Sequence, residues 1–140
     1  MYKSTFLLLI FLLIKSSSFS KEFKGAKRIK FINYPQCIEL KNSVGTTVVL
    51  SHHVGGRVLS YKKNNKESLF IADNESEWEP NGSKKPSSAG RFDIGPEYLI
   101  PRRTELWSGK WTSTITGPRS ARLESNESKD AGIRLIRDFI

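Results

Sequence analysis

The segment AGRFDIGPEYLIPRRTELWSGKW, residues 89–111, gathers side chains capable of recognition chemistry: Arg91, Asp93, Glu97, Arg102, Arg103, Glu105, Trp107 and Trp111. A guanidinium is a rigid planar fork of donors that matches carboxylates and paired hydroxyls. Carboxylates accept from hydroxyls, and an indole offers a flat apolar face with one N–H donor. An apolar surface with a few fixed polar groups is the general form of a small-molecule pocket, and these types together suit a saccharide. Arg57, Arg91, Asp93, Glu97, Arg103, Trp107 and Trp111 are therefore the candidate carbohydrate-binding residues. The same groups admit a structural reading, in which Asp93 and Glu97 pair with Arg102, Arg103 or Arg119 and brace a loop. A carboxylate pair can also do glycosidase chemistry, but only at a defined separation. No catalytic residue is assigned.

A second constellation is HHVGGRV at 52–58. Two glycines after a strand permit a tight turn or close approach of another backbone, and Arg57 then leads into the next strand. In an extended strand the adjacent His52 and His53 face opposite sides, so they do not ligate one metal together. One of them could act as an acid or base; in the structural alternative one packs and the other is exposed. Cys37 is the only cysteine, so the chain has no internal disulfide and no thiolate metal set. It reads as a small buried apolar residue between Pro35 and Ile38. Neither metal nor cofactor is expected.

These groups need elements to position them. Alternating or β-branched runs at 37–42, 45–53, 56–64 and 67–73 read as strands, separated by Asn42-Ser43, Gly55-Gly56 and Asn64-Asn65. Short strands at this spacing with Gly and Asn punctuation signal an antiparallel sheet, and Asn64-Asn65 suits a tight hairpin turn. Strand patterns return at 110–117, 120–128 and 131–140. Between them, 74–90 has no period and reads as a surface loop; its Trp78 either folds back on the sheet or lines a binding surface. The fold class is all-β, an antiparallel β-sandwich.

Residues 1–20, MYKSTFLLLIFLLIKSSSFS, have a basic start, an apolar run and small residues before Lys21. This is the pattern of a secretory signal peptide, and the run is too short to span a membrane. The product is expected to be secreted or periplasmic, with no membrane span after cleavage. The chain carries 23 Lys and Arg against 14 Asp and Glu, a net charge of +9. KEFKGAKRIK at 21–30 begins a basic leader, 21–35, that reads as a solvated run. As an alternative it makes the chain a basic adhesion or structural module for acidic polymers, without catalysis. No nucleic-acid-binding motif is present.

VVLSHHVGGRVLSY, GRFDIGPE, IPRRTELWSGKW, ITGPRSARLES and GIRLIRDF, in this order, resemble the N-terminal half of an uncharacterised bacterial secreted family of the galactose mutarotase-like superfamily. The resemblance covers 36–140. It implies a supersandwich whose concave face binds carbohydrate, of which this chain is an incomplete N-terminal portion. Characterised members of the superfamily interconvert sugar anomers or modify hexose phosphates and polysaccharides, so a fragment of such an enzyme is the other functional alternative. Their glutamate base belongs to the C-terminal half and is not carried over onto any residue here. Neither His52 nor His53 matches a catalytic histidine motif.

Overall fold

The structure, a computed structural model, describes residues 23–79, 87–96, 98–99 and 102–140. The leader peptide read at 1–20 lies outside them. Strands β1 (Ala26–Phe31), β2 (Tyr34–Lys41), β3 (Thr46–Ser51), β4 (Arg57–Lys63) and β5 (Lys66–Glu67) form one sheet in chain order. Strands β6 (Thr112–Gly117), β7 (Ser120–Glu124) and β8 (Ile136–Phe139) form a second. Every pairing is antiparallel, and the chain is an all-β sandwich. Helix among the described residues is confined to a 3-10 turn, Glu75–Glu77, and a single α turn, α1 (Thr104–Trp107). No helix among them is long and apolar enough to cross a membrane.

Directly paired residues in an antiparallel ladder share a face, so register sorts the apolar side chains into two layers. Ile38 pairs with Leu50 and Leu40 with Val48; these face the second sheet and bury against Ala121 and Leu123 of β7 and against Trp111. The opposite face carries Tyr34, Cys37, Val49 and Leu59, and Trp78 covers it. The five-stranded sheet is thus a middle layer apolar on both sides. A bulge opposite Val49–Leu50 inserts Leu59 as an extra residue, which lets Leu59 join the Trp78 layer while Val58 packs toward the second sheet. Burying a side chain of this size contributes about 1.5–3 kcal/mol. Cys37 is fully buried in the Trp78 layer, and burial raises its thiol pKa.

The turns follow local chemistry. Asn64 and Asn65 take φ of 49° and 65°, the left-handed pair a two-residue hairpin turn demands. Asn42 Oδ1 accepts from the amides of Val44 at 3.1 Å and Thr46 at 2.8 Å.

Three expectations change. The run 21–35, read as a leader, supplies β1 and the start of β2, because Ala26 and Arg28 align with Leu40 and Ile38 on the face toward the second sheet. Of 67–73, only Glu67 is in a strand, paired with β4 together with the preceding Lys66. There the Glu67 carboxylate accepts from the amides of Tyr61, Ser68 and Leu69; the Ser68 amide still reaches the Tyr61 carbonyl at 2.9 Å, but the Tyr61 amide that would continue the ladder is taken by the carboxylate. At the C-terminal end only Ile136–Phe139 is a full strand, because Gly132 turns the chain at φ 64° and donates to the Ser128 carbonyl at 2.7 Å.

Candidate functional site

The Gly55-Gly56 turn connects the strands to the segment 102–111. Gly55 N–H donates to the Gly109 carbonyl at 2.8 Å, and Trp111 N–H donates to the His52 carbonyl at 2.7 Å. A Cβ on Gly55 would stand 2.0 Å from the Trp107 carbonyl oxygen, and one on Gly56 2.2 Å from the Trp111 ring. Only glycine fits such approaches at positive φ. Arg137 of β8 closes the turn from outside, donating to the Gly56 carbonyl at 2.6 Å.

Past this turn, Arg57 enters β4 with its side chain directed inward and 1% accessible. It meets Glu75 of the 3-10 turn, equally buried: Nη1 donates to Oε1 at 2.6 Å and Nη2 to Oε2 at 3.3 Å. Nη2 also reaches the Ala89 carbonyl at 3.2 Å. Tyr34 Oη lies 2.9 Å from Glu75 Oε1 and 3.0 Å from the Glu75 carbonyl oxygen. Burial and the neighbouring carboxylate push the Tyr34 phenol pKa up, so it stays a donor.

From this pair a stack runs outward. The Arg57 guanidinium lies 4.4 Å from the Trp78 ring centroid. Arg91 sits 5.0 Å from Trp78 and 5.6 Å from Trp107, whose rings are 6.1 Å apart. Arg102 covers Trp107 at 4.8 Å. Cations and indoles therefore alternate in the order Arg57, Trp78, Arg91, Trp107, Arg102. Each contact contributes roughly 0.5–2 kcal/mol, more where water is excluded. Trp107 Nε1 donates to Asp93 Oδ1 at 2.5 Å, which fixes the outer indole in plane. Burial, then the Arg57 charge, lower the Arg91 pKa.

Of the seven candidate residues, Arg57, Arg91, Asp93 and Trp107 come together in this stack. Arg103 lies apart, in an ion pair with Asp130 at 3.2 Å. Trp111 is 2% accessible in the core between the sheets, its Nε1 donating to the Glu105 carbonyl at 3.1 Å. Glu97 lies outside the described residues. The indoles present no open face, since Trp78 is 3% and Trp107 9% accessible. What reaches solvent is the rim: Asp93 and Arg102 are exposed and Arg91 half-buried. Glu75, absent from the sequence-based set, is the anchor of the whole stack. Its one signal is its position three residues before Trp78, which places both on a single turn of an otherwise acidic loop. Trp78 takes the first of its two expected roles and folds onto the sheet.

The histidines depart from expectation. β3 ends at Ser51 and residues 52–56 bend, so the side chains do not alternate. Their rings lie 4.2 Å apart. His53 Nε2 donates to the Pro35 carbonyl at 2.6 Å, and His52 Nδ1 meets Ser113 Oγ at 2.9 Å. Burial, then His53, Arg28 and Lys110, push the His52 pKa down to about 4. An unfolded histidine titrates near 6.5, so between those values the unfolded chain binds more protons and stability is lost as the pH falls. Above pH ~6.5 the contribution is complete; by about pH 4 it is lost, at a cost of roughly 1–2 kcal/mol for this partly solvated ring. The difference in urea midpoint between wild type and His52→Asn should accordingly shrink as pH falls from 7 to 4.5. A pH-independent difference would contradict this.

No protein-family model, curated protein or solved structure matches this chain.

Proposed function

We propose that the chain is an exported carbohydrate-binding β-sandwich of the galactose mutarotase-like superfamily, and that it holds a saccharide at the solvent-facing end of the arginine–indole stack. The observation that carries this reading is the placement of Asp93 and Arg102 on one buried indole, Trp107, with Arg91 beneath it. Arg102 and Arg91 supply planar donors for sugar hydroxyls, and Asp93 supplies an acceptor. Their buried backing removes much of the side-chain entropy that binding would otherwise cost. The indoles act from beneath, as the support of the polar groups rather than as open platforms for a sugar ring. The motif series and the leader at 1–20 support the superfamily and export.

Glycan-array screening followed by titration tests the reading. Arg102→Ala and Asp93→Ala should each weaken the best ligand at least tenfold, with a loss of stability of about 1–2 kcal/mol from the contact each makes to Trp107, small enough to leave the variants folded. Absence of binding to any glycan, or binding indifferent to both substitutions, would overturn it. Binding that collapses between low and physiological salt would instead assign the activity to diffuse basic charge.

A further inference from the structure

A second concavity lies at the seam between the two sheets, and no member of the stack lines it. It is an open hollow of about 360 Å3 bordered by Arg28, Gln36, His52, Lys110, Thr112 and Ser113. Arg28 crosses from β1 to β6: Nη1 donates to Ser113 Oγ at 2.6 Å and to the Gln36 carbonyl at 2.8 Å, and Nη2 donates to the Ser113 carbonyl at 2.6 Å. Three of its five donors thus go to neutral acceptors, which fixes the guanidinium without compensating its charge. Among the described residues Lys110 forms no ion pair and no carboxylate borders the hollow.

The floor is ordered as well. The Ser113 hydroxyl accepts from Arg28 and lies 2.9 Å from His52 Nδ1. We assign the His52 proton to Nε2, the arrangement in which that hydroxyl both accepts and donates. The border then carries two permanent cations and several neutral donors. A concavity lined by one sign of charge focuses its field on a ligand of the opposite sign.

We propose that this hollow binds an oxyanion, a carboxylate, sulfate or phosphate group, between Arg28 and Lys110. The group belongs either to a free inorganic ion or to an acidic saccharide. This site is independent of the stack and stands or falls separately from it.

The test titrates the purified chain with sodium sulfate, glucuronate and glucose at constant ionic strength, following backbone amide shifts by NMR. Sulfate or glucuronate should give saturable shifts at residues 28, 52 and 110–113. Lys110→Gln, at an exposed position, should weaken that binding about tenfold, the scale of one lost charge-assisted contact. Arg28→Gln should weaken it further, and Arg102→Ala should leave it unchanged. Glucuronate binding tighter than sulfate identifies the acidic saccharide as the source; sulfate binding as tight or tighter identifies the free ion. Shifts that fail to saturate, or saturable binding that Lys110→Gln leaves intact, would overturn the proposal.

Discussion

Arg57→Met is expected to destabilise the fold by about 3–5 kcal/mol, the usual result of removing one partner of a buried ion pair. Domains of this size are held by roughly 5–15 kcal/mol, so the variant should lie near its unfolding transition at moderate temperature. The cause is electrostatic rather than volumetric, since methionine fills much of the space. Glu75 is 1% accessible and, among the described residues, would keep only the Tyr34 hydroxyl as a side-chain hydrogen-bond partner. A carboxylate with so little solvation is costly to leave charged. The cation over Trp78 disappears at the same time. Arg57→Met/Glu75→Leu should recover a large part of the loss, because replacing both members by apolar groups removes the uncompensated charge. Tyr34 would still have the Glu75 backbone carbonyl as an acceptor. Urea unfolding of the two single variants and the double variant forms the cycle. Strict additivity would mean that the pair is not coupled. Near-UV circular dichroism should also weaken in Arg57→Met, as Trp78 and Trp107 lose their fixed stacking.

Gly56→Ala should cost about 3 kcal/mol or more. At φ 57° an L side chain strains the backbone, worth roughly 1–2 kcal/mol. Its Cβ would also fall 2.2 Å from the Trp111 ring, and overpacking of this kind adds about 1–3 kcal/mol. Trp111 cannot easily retreat: its Nε1 donates to the Glu105 carbonyl, its amide to the His52 carbonyl, and its ring packs in the core between the sheets. Gly132 is the control. Its φ is 64°, but no atom lies within 4 Å of the added carbon, so Gly132→Ala should show the backbone strain alone. Equal losses at the two positions would mean that the approach of Trp111 carries no energetic weight.

The strand pattern was legible because it is local. β-Branched alternation in β3 and β4, and the Asn64-Asn65 turn between β4 and β5, depend on neighbours a few residues apart, and each appears in place. Where a strand was misjudged, one side chain intervened: the Glu67 carboxylate takes the Tyr61 amide that alternation alone would assign to a ladder. The basic composition of 21–30 concealed β1, since lysines at exposed positions of an edge strand read the same as a solvated run.

The candidate site was legible in its residue types and only partly in its membership. Arg57, Arg91, Asp93 and Trp107 share the stack, whereas Trp111, with an identical side chain four residues further on, belongs to the core. The two tryptophans flank the same glycine turn, and what separates them is the direction in which the chain enters and leaves α1. Glu75 carried no comparable mark among the acids around it.

Amino-acid order by itself determined that this chain forms antiparallel sheets, where their turns fall, and that arginines, acids and indoles concentrate between them. Only the tertiary structure decided that Arg57 pairs with Glu75 across 18 residues and that Arg28 reaches Ser113 across 85. Alternation and turn preference act through contacts between near neighbours, while the partner of a buried charge depends on the path of irregular segments whose course is set by packing against both faces of the middle sheet.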